Sequence, residues 1–266
     1  PAWDAAFALS QKSAYNLIVG PSDHLPHASF VISRQPDHGC SRRGDGSDYS
    51  HLWNGQTPLE ADFLVSLLLP ATPDMAKNFF YNFLHTQKQG GFIDWKPGLG
   101  GQLGGVMATP ILTQIAWRIY QATEDKQFLS EVYTPLLSFV QAWFSADQDR
   151  DGDGIPEWSH LMQSGIEEHP TFSQGPSWSQ GVDITFSESP ALCALLHNEI
   201  HILMRMASIL DRTLPISSLQ SLADLLSSAV EAAWDQDAAM YRTWDSETHF
   251  SSSKQRLAER FGPGEI

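Results

Sequence analysis

The chain has 266 residues, a formal net charge of −15, 42% hydrophobic and 18% charged residues. That length suffices to bury a sizeable core, and that charge argues against nucleic acid or an anionic membrane surface as partner. A neutral ligand such as a sugar is compatible with it. Cys40 and Cys193 are the only cysteines, too few for a disulfide framework. No apolar run reaches spanning length and no signal peptide is visible, which leans the reading towards a cytoplasmic location. Nine Trp and fourteen Phe either fill a large helical core or line a site that stacks on flat ligands.

In chain order, the pattern opens with a helix near 4–18 and a long connection, 19–56, holding the one strand-like stretch, "SFVIS" at 29–33. A recurring dipeptide then marks helix starts: Thr57-Pro58, Thr72-Pro73, Thr109-Pro110, Thr134-Pro135 and Ser189-Pro190. Thr or Ser at N-cap accepts a backbone N–H, and Pro at N1 gives up only an N–H that had no partner. "TPLE" adds Glu60 at N3 and completes a capping-box pattern. Helices are expected over 58–69, 73–88, 110–123, 135–147 and 190–211, with further ones near 217–234 and 253–261. Ile111, Ile115 and Ile119, with Leu112 and Trp117, define a broad buried face. The stripe Phe128, Leu129, Val132, Tyr133, Leu136, Leu137 and Val140 continues it, kinked or restarted at Pro135. The chain reads as all-α, a single helical domain over 1–266.

Three long connections, 19–56, 89–108 and 148–188, hold most of the unusual residues, and long ordered loops usually serve function. In the first, Trp53, Asn54 and Gln56 stand just before a helix N-terminus. A Trp beside amides offers an apolar face for a sugar ring and partners for its hydroxyls; a buried Trp with a Gly- and Asp-rich turn is the plainer reading. In the second, "QGGFIDWKPGLGGQLGG" sets Asp94, Trp95 and Lys96 among glycines that let backbone approach a ligand. It is not a phosphate loop, because GxxxxGK[ST] is absent, and a flexible surface loop reads equally well.

The third connection carries "DRDGDGIPEWSHLMQSGIEEHP" from Asp149. Asp149, Asp151, Asp153 and Gly154 match positions 1, 3, 5 and 6 of an EF-hand-type loop, with Ile155 able to contribute its carbonyl and Glu157 its carboxylate. His160 stands where that loop needs its bidentate Glu. A looser Ca²⁺ turn and a plain Asx-rich turn both remain open.

The run "DRDGDGIPEW…SGIEEHP" resembles the region carrying the general acid in (α/α)6-toroid glycoside hydrolases: family 63, the trehalases and the amylo-α-1,6-glucosidase group. "YSHLWNGQTPLEADFL", "GFIDWKPGLGG…ATPILTQIAWRIYQATEDKQFL" and "VDITFSESPALCALLHNEIHILMRMASIL" resemble further segments of that set, in the right order over roughly 50–211. The resemblance implies an (α/α)6 toroid, and with about eight helices read where a closed toroid has twelve, the chain is expected to lack the C-terminal ones. It implies an inverting hydrolase of α-linked gluco- or manno-configured sugars, acting on an oligosaccharide or small glycoside. No cofactor is required, though the turn could hold Ca²⁺. Glu167 takes the place of the family's acid Asp, with Glu168 its adjacent rival, and Trp53-Asn54 replaces the family's Trp-Asp. Gln56, Asp94, Trp95, Lys96, Glu157 and Trp158 are expected near the same pocket. Inversion needs a second carboxyl, yet Glu188, Glu199, Glu231, Glu247, Glu259 and Glu265 sit in no matching motif. A non-catalytic carbohydrate-binding module on the same fold is the alternative. Phosphorolysis of a disaccharide, with Arg42 and Arg43 as the local basic residues, ranks last.

Overall fold

The computed structural model describes residues 2–15, 17–31, 55–101, 105–165, 184–212 and 216–246. The chain divides into two compact units, Pro1–Phe128 and Leu129–Ile266.

In the first unit, α1 spans Ala2–Tyr15, and β1 (Ile18–Val19) pairs antiparallel with β2 (Ser29–Phe30). The strand expected over 29–33 is thus only two residues long. Helix α2 (Pro58–Leu68) begins where the sequence says it should: the Thr57 side chain accepts the Glu60 N–H at 3.2 Å, and Glu60 accepts the Thr57 N–H at 2.8 Å. Satisfying two orphan donors at once fixes that start. Helix α3 (Pro73–His85) buries Ala76, Phe79, Phe80 and Phe83. It starts at Thr72-Pro73 as expected, but the Thr72 hydroxyl donates back to the Leu68 carbonyl and caps nothing. Asn82 of α3 accepts the His27 N–H and donates to the His27 carbonyl, both at 3.1 Å, tying the β2 approach to this helix.

Helix α4 (Leu112–Thr123) starts later than expected, with Ile111 rather than Thr109 at its N-cap. Leu112, Ile115, Ala116 and Ile119 form its buried face, and α2, α3 and α4 pack on one another. Helix α5 (Lys126–Ala142) corrects the expected restart at Pro135: it runs unbroken through that proline. Its true start is Asp125, whose carboxylate accepts the Phe128 N–H at 3.0 Å and pairs with Lys77 at 2.7 Å. That donor, the Lys77 hydrogen bond above all, holds the Asp125 carboxyl below its usual range.

In the second unit, Val132, Tyr133, Leu136, Phe139 and Val140 line the buried face of α5. β3 (Ser187–Glu188) leads into α6 (Pro190–Ile209), where Ser189 accepts the Leu192 N–H. Helix α6 lies along α7 (Ile216–Ala232), and its Leu192, Cys193, Leu196, Ile200 and Leu203 are buried. Arg212 ends this pair by donating to Thr134 and Ser130 while stacking over Tyr133 at 4.8 Å.

Where a helix was expected to reach 234, α7 stops at Ala232 and a hairpin follows: β4 (Trp234–Asp235) pairs with β5 (Met240–Tyr241). β6 (Trp244–Asp245) then pairs with β3. The helix expected over 253–261 and Cys40 lie outside the described residues. No helix among the described residues is long and apolar enough to cross a membrane.

Candidate active site

The acidic segment after α5 is built by its own side chains. Asp149 accepts the Gly152 N–H at 2.9 Å on one oxygen and the Gly154 N–H at 3.1 Å on the other. Asp151 accepts from Asp153 and Asp153 from Ile155. Carboxylates that take two-residue-on N–H groups close Asx turns. Gly152 and Gly154 supply the positive φ, 78° and 91°, that this path demands. The Glu157 N–H donates to the Gln148 carbonyl at 2.7 Å and ties the base of the loop.

One ligand atom from each of Asp149, Asp151 and Asp153 lies within 4.8 Å of the others. Glu157 is fully buried; one oxygen accepts the Arg150 N–H at 3.1 Å, and Oε1 has no partner among the described residues. Oxygen donors at that spacing, with an orphaned buried oxygen on the same loop, fit a hard cation such as Ca²⁺. Asp149, Asp151 and Asp153, with the Ile155 carbonyl and Glu157, are the residues that would hold it. His160, where an EF-hand has its Glu, instead accepts the Met162 N–H in a short 3-10 turn, Leu161–Gln163. Burial raises the Glu157 carboxyl to about 7, the Asp151 and Asp149 charges adding to the rise while the Arg150 N–H and guanidinium oppose it.

A second buried carboxyl lies close by. Glu188 stands opposite Trp244 in the β3–β6 ladder and is raised to about 8, first by burial and then by the charges of Asp153 and Asp151. It lines a cavity of about 510 Å³ with Asp153, Trp234, Asp235, Arg242 and Trp244. Arg242 pairs with Asp235 at 2.5 Å, and Asp235 also accepts the Asp237 and Ala238 N–H groups. Indole faces, a carboxyl that keeps its proton at neutral pH and a fixed ion pair are what a sugar needs: apolar area, a proton donor and hydroxyl partners. Sequence alone does not reveal this wall: Glu188 sits in no motif, and the density of Trp, Asp and Arg in "WDQDAAMYRTWD" is the one signal for it.

The residues expected to line a pocket are placed as follows. Trp158 is buried and meets Trp143 edge to face at 5.8 Å, so its ring belongs to the core of the second unit. In the first unit, Gln56, Asp94, Trp95 and Lys96 come together and are all buried. The Gln56 N–H donates to the Pro97 carbonyl, its side-chain amide donates to the Phe30 carbonyl, and the Lys96 N–H donates to Asp94 at 2.9 Å. The Lys96 ammonium sits 5.6 Å over the Trp95 ring, and burial lowers its pKa. Trp53, Asn54 and Glu167 lie outside the described residues.

A family model for the mannosylglycerate hydrolase MGH1-like glycoside hydrolase domain matches residues 73–262. The chain belongs to that family. The match takes in the acidic turn, the Ser-Gly-Ile-Glu segment, Glu188 and the hairpin wall, while Trp53, Asn54 and Gln56 precede it. Among solved structures, the family 63 mannosylglycerate hydrolase of Thermus thermophilus in complex with Tris is similar, with a TM-score of 0.63 at 14% identity. The alignment covers 76% of this chain and 64% of that one, so the MGH1-like chain spans under two thirds of its relative. The same enzyme in complex with glucose gives a TM-score of 0.60 at 14% identity, covering 78% and 69%. In complex with Tris and D-glycerate it gives 0.60 at 14% identity, covering 73% and 62%. These likenesses show the fold: the MGH1-like domain is all-α, of the (α/α)6 glycosidase type over the part it spans. No curated protein matches it.

Proposed function

We propose that the chain is the larger part of an inverting glycoside hydrolase acting on a small α-linked gluco- or manno-configured glycoside, with Glu167 as general acid. The observation that carries the reading is the cavity walled by Trp234, Trp244, Arg242 and Glu188 in a chain of this family. Its indoles suit the apolar face of a sugar ring, and its fixed polar groups suit hydroxyls. Glu167 follows the "PEW" segment at the spacing the family resemblance requires. A mannosyl glycerate is the first substrate to try, because similar solved structures are mannosylglycerate hydrolases.

The test is hydrolysis of α-mannosyl glycerate and α-glucosides by the full-length protein and by Glu167→Gln and Glu188→Gln, with the anomer of the first-formed sugar read by NMR. Loss of at least about a hundredfold in kcat in Glu167→Gln supports its role, given what general acids contribute. Full activity there with loss in Glu188→Gln moves the acid to Glu188. A retained anomeric configuration overturns inversion.

The proposal gives Ca²⁺ a structural place in the acidic turn, where it would offset the charge gathered by Asp149, Asp151, Asp153 and Glu157. The alternative, a non-catalytic carbohydrate-binding module, is favoured by the departures from the family pattern: Glu167 for its acid Asp, Trp53-Asn54 for its Trp-Asp, and no carboxylate in a matching base motif. Oligosaccharide binding by calorimetry with no turnover by the full-length protein would select it.

A further inference from the structure

We propose that His197 and His201, one turn apart on α6, form a binding site for a divalent transition-metal ion of the Zn²⁺ class, with Asp224 of α7 supplying compensating charge. The two Nε2 atoms lie 3.1 Å apart. Imidazoles bound to one ion with metal–nitrogen bonds near 2.0–2.1 Å hold their nitrogens about 2.9 Å apart at a right angle and about 3.3 Å apart at the tetrahedral angle. The observed separation falls between the two. The rings are inclined at 62° with centroids 4.4 Å apart, so the ring faces do not stack and the closest approach is between the two Nε2 atoms.

The plain reading is a packed pair in which one Nε2–H donates to the other Nε2. That bond accounts for the metal-free arrangement and is compatible with the proposal. When an ion binds, the shared hydrogen moves to Nδ1 of its own ring, both imidazoles stay neutral and both Nε2 lone pairs face the metal. No oxidation or reduction is involved. Both histidines are half-buried on the flank of α6, so water can complete the coordination. A neutral ring is the ligating form, and the Asp224 carboxylate lies within electrostatic reach of His197. Gln220 donates to Asp224 at 2.8 Å and steadies that carboxylate one turn along α7. Imidazole nitrogen selects Zn²⁺, Co²⁺, Ni²⁺ or Cu²⁺ over the oxygen-seeking Ca²⁺ proposed for the acidic turn.

The experiment is titration of the chelator-treated full chain with ZnCl₂ by calorimetry, in excess CaCl₂ so that oxygen sites are filled. CoCl₂ absorption in the visible provides a nitrogen-ligand signature. Wild type is expected to bind one equivalent saturably. His197→Gln and His201→Gln should each weaken that binding at least about tenfold, the scale of losing a group that supports a metal. Asp224→Asn should weaken it less. The glutamine variants keep a half-buried polar side chain, and circular dichroism checks that they fold. If wild type shows no saturable Zn²⁺ binding, or the double glutamine variant binds it as tightly, the proposal fails.

Discussion

Glu188 and Trp244 stand opposite each other in the two-residue β3–β6 ladder, which holds a fully buried carboxyl at the wall of a cavity beside the acidic turn. The charges that raise Glu188 belong to Asp153, Asp151 and Glu157. Carboxyls brought so close cannot all be ionised without help from a proton or a cation. The turn and the ladder are therefore coupled through charge, although the chain reaches them through separate elements.

That coupling sets the pH dependence of stability. Glu157 at about 7 and Glu188 at about 8 hold their protons more tightly in the folded chain than at the ordinary value of 4.5. The stability they confer is whole below the unfolded value and is lost as pH rises through about 7 and about 8. In chelator, the Tm should fall steadily from mildly acidic to mildly alkaline pH, and Glu188→Gln should flatten much of that fall. Added Ca²⁺ should raise the Tm most at the alkaline end, because a cation favours the ionised forms. An unchanged slope in a Glu157→Gln, Glu188→Gln double variant would remove these carboxyls as its cause.

Cys193 tests the buried placement of α6 beside these carboxyls. Its thiol is raised to about 12, first by burial and then by Glu188 and Asp153. Thiolate is the reactive form, so iodoacetamide at mildly alkaline pH should leave Cys193 unlabelled in the native chain and label it in denaturant. Mass spectrometry of the peptide carrying Cys193 decides the matter. Native labelling at the unfolded rate would contradict the buried placement.

Gly55 should not tolerate a side chain. A Cβ there would lie 2.2 Å from the Pro97 carbonyl oxygen, which is backbone and has little room to yield. Gly55 bridges to Gly98, and the adjacent Gln56 N–H donates to that same Pro97 carbonyl. Gly55→Ala should destabilise the chain by at least about 1 kcal/mol, as forced overlaps in packed regions do. Chemical denaturation measures it, and a neutral result would mean the bridge is looser than described.

Legibility followed the range of the forces. The start of α2 was readable because its capping box is made within four consecutive residues, Thr57 to Glu60. The same Thr-Pro signal misled at Thr109 and Thr134. Local chemistry permits a cap at Thr134, but the apolar stripe from Phe128 to Val140 buries a continuous helix and overrides it. The acidic turn was readable for the same local reason: the Asx-rich turn left open beside a Ca²⁺ turn is present, closed by Asp149, Asp151 and Asp153. Glu188 was not, because its setting is made by a strand more than fifty residues downstream and by charges from the turn. Trp158, expected near the pocket from the family resemblance, packs edge to face on Trp143 in the core, a contact that only tertiary structure makes.

Pro135 stores a stability cost that can be released. It lies inside α5, where it lacks the N–H that would bond the Glu131 carbonyl one turn back. A proline in a helix interior costs about 3 kcal/mol relative to alanine. Its restriction of the unfolded chain offsets about 0.4–1 kcal/mol of that. The net of these two terms is a gain of about 2 kcal/mol, which sets the upper end of what Pro135→Ala should give. Pro135 is half-buried, and alanine is smaller, so the gain will be partly reduced by lost contact area. Urea denaturation gives the sign directly. A loss of stability in Pro135→Ala would show that packing of the ring outweighs the missing hydrogen bond, and that the α5 path is built around the proline.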